Sequence, residues 1–70
     1  MSSEAAEPAT SYEQAREELA EVVRRLEAGG LTLEESLALW ERGEELARIC
    51  QHWLDRARER LAAARPEETN

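Results

Sequence analysis

The stretch LEAGGLTLEESL, Leu26 to Leu37, decides the fold. Gly29 can take the left-handed backbone that ends a helix, and Gly30 adds a second flexible position. Thr32 followed three residues later by Glu35 is a capping box: the hydroxyl accepts from an orphan backbone amide, and the glutamate reaches back to the cap. One helix therefore stops at Ala28 and another starts at Leu33, with only a short glycine-containing link between them. Two amphipathic helices so joined fold back on one another as an antiparallel hairpin.

Upstream, SYEQAREELAEVVRRLEA opens with a second capping box, Ser11 with Gln14. Apolar residues then fall at Tyr12, Ala15, Leu19, Val22, Val23 and Leu26, three and four apart on one face. Glutamates crowd the first turns, and Arg24 and Arg25 the last, which complements the helix dipole. Downstream, no proline interrupts the chain from Leu33 to Ala64. The expected helices, 12–28 and 33–64, are about 26 and 48 Å long at ~1.5 Å per residue. The fold class is all-α: a two-helix antiparallel hairpin over residues 11–65. A small, polar lead over 1–10, interrupted by Pro8, and a tail over 66–70 are expected to be disordered.

Folding the first helix back pairs Leu26 with Leu37, Val23 with Trp40, Leu19 with Gly43, Ala15 with Ala47 and Tyr12 with Cys50. The expected hairpin core is thus Tyr12, Ala15, Leu19, Val22, Val23 and Leu26 against Leu33, Leu37, Trp40, Gly43, Ala47 and Cys50. A mid-helix glycine costs about 1 kcal/mol relative to alanine, so Gly43 suggests close backbone approach at the seam. The apolar pattern outruns the shorter helix and widens into a second row. Leu39, Leu46, Ile49, Trp53, Leu54, Ala57 and Leu61 have no expected cover within the chain. An apolar surface of this kind marks a contact site, and tryptophan is enriched at interface hot spots. These seven residues are the expected partner interface, and a hairpin carrying them self-associates, binds a helical partner, or both.

Charge and composition narrow the function. The 70 residues carry a net charge of −7 and no lysine. Proteins that bind nucleic acid unaided gain most of their affinity by neutralising phosphates, and this chain repels them. Gln51–Arg65 is an exception, with four arginines against Asp55 and Glu59. That bias reads as a solvated helix face with internal Asp/Arg pairs; the alternative is a face toward an acidic partner. Glu21 with Arg25 and Glu44 with Arg48 have the i,i+4 spacing of helix-supporting pairs. Cys50 is the single cysteine, so no intrachain disulfide forms, as suits a reducing cytoplasm. No apolar run is long enough to cross a membrane, and the N-terminus lacks the marks of a signal peptide.

Catalytic chemistry finds no foothold. Cys50 and His52, two positions apart, face different sides of a helix, a poor geometry for a metal pair or a nucleophile–base pair. Cys50 reads as a small buried residue and His52 as a solvated one. Gly29–Gly30 has no preceding strand and no following lysine, so it is not a phosphate loop. No catalytic residue, metal ligand or cofactor site is expected in this chain.

The residues do resemble a family. Tyr12–Glu13 at the start, then Leu26, Glu27, Gly30, Leu31 and Leu33–Leu37 at the turn, then Glu41, Gly43, Leu46, Cys50, Leu54 and Ala57, resemble the small subunit of exodeoxyribonuclease VII. The resemblance spans about Ser11 to Ala64. Tyr12 stands where that family more usually has phenylalanine, and Trp40 where tyrosine often occurs; both keep an aromatic. The resemblance implies an accessory, non-catalytic subunit of a single-strand DNA exonuclease. It also implies a large subunit that holds the nuclease chemistry and the DNA-binding domain, with several small subunits coating its helical region. The implied activity is degradation of single-stranded DNA from both ends, into acid-insoluble and then smaller acid-soluble oligonucleotides. The implied partners are the large subunit and other copies of this chain, with DNA contacted only indirectly and no membrane involved. The competing reading is a free-standing acidic helical adaptor or regulator, antitoxin-like, with an unrelated partner.

Overall fold

The computed structural model describes residues 7–64. It contains two helices, α1 (Tyr12–Ala28) and α2 (Leu33–Ala64), packed on one another as a hairpin. Of the lead expected over 1–10, only residues 7–10 fall among those described, and the tail over 66–70 lies outside them.

Both capping boxes close. The Ser11 amide donates to Gln14 Oε1 at 3.0 Å, and the Gln14 amide donates to Ser11 Oγ at 3.1 Å. At α2, the Thr32 amide donates to Glu35 Oε1 at 2.9 Å and the Glu35 amide to Thr32 Oγ1 at 3.0 Å. Each box satisfies two of the amides that a helix start leaves without an intrahelical partner. α1 ends on Gly29, whose amide donates to the Leu26 carbonyl at 3.3 Å. Gly29 has φ 75° and ψ −166°, a combination open essentially only to glycine, and not the left-handed helical conformation expected of it. Gly30 follows at φ 74°. The reversal therefore needs two successive positive-φ residues, and the sequence supplies two glycines.

Ala15, Val22 and Leu46 are the buried residues of the seam. Leu19, Leu26, Leu39, Ile49 and Cys50 pack around them, half-buried. The position of α1 along α2 follows the predicted register: Gly43 lies against Val22 and Leu19. The rotation of α2 does not. Leu33, Leu37, Trp40 and Ala47, expected in the hairpin core, are exposed, and Val23 of α1 is exposed with them. Leu39, Leu46 and Ile49, expected at the partner interface, face α1 instead. The two rows lie about 100° apart around one helix, and Leu46 and Ala47 are adjacent members of them.

A cross-brace beside the seam accompanies this rotation. The Arg42 guanidinium donates to both Glu18 oxygens, Nε at 2.8 Å and Nη2 at 2.9 Å, a bidentate arrangement that fixes direction as well as distance. Its Nη1 also donates to Glu45 at 3.0 Å. Arg42 and Gly43 flank the row of Leu39 and Leu46 on opposite sides, so bringing Arg42 to α1 seats that row inward and turns Trp40 out. The larger aliphatic side chains then fill the seam, and the row interrupted by Glu44 stays in water.

Gly43 is a second correction. A methyl group built there would meet Val22 Cγ1 at 3.5 Å and Leu19 Cδ1 at 3.7 Å, ordinary van der Waals contact. The helices do not approach so closely that glycine is required.

Candidate docking surface

Two seams run along α2, each with a seven-residue repeat. The inner seam carries Leu39, Leu46 and Trp53, with Gly43, Cys50 and Ala57 spaced between them. The outer one carries Leu33, Trp40, Ala47, Leu54 and Leu61, each seven residues after the last. A sustained seven-residue apolar repeat is the signature of left-handed helix-on-helix packing. In the outer seam Leu33 is 76%, Trp40 59% and Leu61 61% exposed. Large apolar side chains left in water along one line constitute a candidate docking face.

Near the turn this face deepens into a groove between the helices. It is lined by Leu19, Val23 and Leu26 from α1 and by Trp40, Glu44 and Ala47 from α2. Val23 and Trp40, expected to meet in the core, instead form opposite walls of this open groove.

Of the seven predicted interface residues, Leu54, Ala57 and Leu61 are exposed. Leu39, Leu46 and Ile49 are consumed by the seam with α1. Trp53 occupies a third situation. α1 begins near the middle of α2, so its helical cover stops short of Trp53. The chain before α1 covers Trp53 instead: the indole Nε1–H donates to the Thr10 carbonyl at 3.0 Å, and the Glu7 carboxylate pairs with the Arg56 guanidinium. Residues 7–10 thus act as a strap across the basic half of α2. By sequence alone these residues belong to a lead expected to be disordered. The available signal was an acidic segment ahead of α1 and an arginine-rich run late in α2.

His52 is half-buried, not solvated, with its ring edge-on to Trp53 at a centroid distance of 5.1 Å. Its Nε2 is shielded from solvent and has no hydrogen-bond partner among the described residues. Cys50 is half-buried beside the core. No group of three or more His, Cys, Asp or Glu side chains that could hold a metal ion occurs among the described residues. Among the described residues, no helix is long and apolar enough to cross a membrane.

Electrostatically, the resolved perturbations centre on the cross-brace. The hydrogen bond from Arg42 holds the Glu18 carboxyl below the usual carboxylate range. Hydrogen bonds to Glu18 and Glu45 raise Arg42 further above its already high value. The expected i,i+4 pairs are not formed. Glu21 pairs with Arg24 at 2.7 Å, and neither Glu44 nor Arg48 has an ion-pair partner among the described residues.

A short hairpin that satisfies one face of its long helix internally and leaves a second face open defines a class: small all-α proteins with an uncovered apolar helix face. The sequence model of the exonuclease VII small subunit matches residues 12–63. An exodeoxyribonuclease 7 small subunit from Streptomyces avermitilis is 74% identical over 62 residues, covering 89% of this chain and 78% of that protein. Its counterpart from Streptomyces coelicolor is 65% identical over 75 residues, covering 100% of this chain and 85% of that protein. One from an Arthrobacter species is 70% identical over 57 residues, covering 81% and 75%. This chain belongs to the exonuclease VII small subunit family. No solved structure matches it.

Proposed function

We propose that this chain is the non-catalytic small subunit of an exodeoxyribonuclease VII. It binds and supports a catalytic large subunit, and it associates with further copies of itself. The assembly works in the cytoplasm and degrades single-stranded DNA from both ends, first to acid-insoluble and then to smaller acid-soluble oligonucleotides. The chain contributes no catalytic group and meets DNA only through the large subunit. Family membership supports the reading, and the observation that carries the binding role is the exposed apolar start of α2, Leu33 and Leu37. A net charge of −7 fits a subunit that leaves DNA contact to its partner.

Leu39, Leu46 and Ile49 pack into the seam with α1, so the proposed partner interface leaves them out. Leu33 and Leu37, both exposed at the start of α2, take their place as the contact for large-subunit helices. Co-expression with the large subunit from the same genome tests the role. Soluble complex and single-strand nuclease activity should both depend on this chain. Leu33→Asp with Leu37→Asp should abolish co-purification while circular dichroism shows the hairpin intact. A large subunit that is equally soluble and active without the chain would refute the role.

A further inference from the structure

The outer seam is built to pair with itself. Between its apolar members lie three polar residues at the same seven-residue spacing, Glu44, Gln51 and Arg58, acidic, neutral and basic in order along the chain. On the flank of the same stripe, Arg48 and Asp55 carry opposite charges on either side of Gln51. From this arrangement we propose that two copies of the chain pair antiparallel through their outer seams, about a two-fold axis beside Gln51. The pairing deepens the expected association of the chain with copies of itself, and it does not depend on binding to the large subunit.

The charge pattern selects this geometry. A two-fold interface repeats every contact: if one residue meets another, the second meets the first. Around Gln51, Glu44 meets the partner's Arg58 and Arg48 meets the partner's Asp55, each twice. Leu54 packs beside the partner's Ala47, and Leu61 beside the partner's Trp40, where the groove walled by Val23 and Leu26 deepens the contact. Parallel, in-register pairing would instead set Glu44 against Glu44 and Arg58 against Arg58, and like charges in contact are disfavoured. Glu44 and Arg48 have no ion-pair partner among the described residues, so both are available. Asp55 now accepts from Arg58 at 3.2 Å and from Gln51 at 2.9 Å, both exposed contacts that are cheap to exchange. The pairing covers α2 from about Trp40 onward and leaves Leu33 and Leu37 uncovered.

Sedimentation equilibrium on the purified chain, without any large subunit, should show a concentration-dependent dimer that salt weakens. Glu44→Arg should weaken dimerisation about tenfold, since the repulsion recurs at two symmetry-related pairs. Adding Arg58→Glu to that variant should restore it, because the swapped charges remain complementary only in an antiparallel pair. Under mild oxidation, Gln51→Cys in a Cys50→Ala background should give a disulfide-linked dimer. Leu33→Cys in the same background should not, because an antiparallel pair holds those positions about 54 Å apart at 1.5 Å per residue. Cross-linking through Leu33→Cys in place of Gln51→Cys would overturn the geometry. A chain that stays monomeric at every concentration yet binds the large subunit through Trp40 and Leu61 would overturn the pairing and leave the large-subunit role standing.

Discussion

Replacing Leu46 by alanine tests the rotation of α2 most directly. Leu46 is 0% exposed and is the one large side chain wholly removed from water among the described residues. Truncating a buried leucine to alanine costs about 2–5 kcal/mol, the range reflecting how far the site collapses. Collapse is limited here, because Ala15 on the facing helix is too small to fill the space. A single-core protein of this size has only about 3–5 kcal/mol of net stability. Leu46→Ala should therefore populate the unfolded state substantially at 25 °C, visible as lost helicity at 222 nm and a urea midpoint shifted toward zero. Trp40→Ala is the control. At 59% exposed, its indole has little intrachain burial to lose, and the change should cost under about 1 kcal/mol. Both measurements belong at low protein concentration, where pairing between copies does not contribute. If Trp40→Ala destabilises the hairpin as much as Leu46→Ala, the outer row is the true seam and the docking surface has been assigned to the wrong face.

Further expectations follow from the glycines, the cross-brace and the strap. Gly43→Ala should raise stability by about 1 kcal/mol, since the new methyl meets only ordinary contacts and helix propensity improves; Gly29→Ala should lower it by about 1–3 kcal/mol, because alanine is excluded from that backbone conformation. The carboxyl of Glu18 titrates lower in the folded than in the unfolded state. Its contribution is present above the unfolded value and is lost as pH falls through the folded one. A melting profile should show this acid-side loss, and Glu18→Gln should remove that component. In a Trp40→Phe background, deleting residues 1–10 should red-shift the emission of Trp53 and expose it to quenchers, because the Thr10 carbonyl and Glu7 no longer cover that end of α2; unchanged emission would show that the strap does not shield it.

The boundaries of both helices are readable because local chemistry sets them. A capping box and a glycine pair act within a few residues, and α1 and α2 begin and end where those signals stand. The rotation of α2 is not local. Rows containing Leu46 and Ala47 both satisfy helical spacing, and hydrophobicity alone does not rank them when one holds a tryptophan. The observed rotation brings Arg42 within reach of Glu18, a pair 24 residues apart that no local pattern reveals. The cover over Trp53 was hidden for a related reason. Glu7 and Thr10 look like featureless lead until the geometry of the hairpin brings them back over the far half of α2. The family resemblance rested on the same turn and helix residues that set the fold, so it was legible where the rotation was not.

The smallness of the seam has a consequence for how many copies a cell keeps. With Ala15, Val22 and Leu46 as the buried residues among those described, a solitary hairpin is expected to open readily, and proteases cut chains in their opened form. Covering the outer stripe with another helix removes apolar surface from water and closes that route by mass action. Assembled copies would then outlive surplus ones, and the abundance of this chain would track the number of docking places open to it. Stoichiometry would be set by turnover, with no regulator required beyond the weakness of the fold itself.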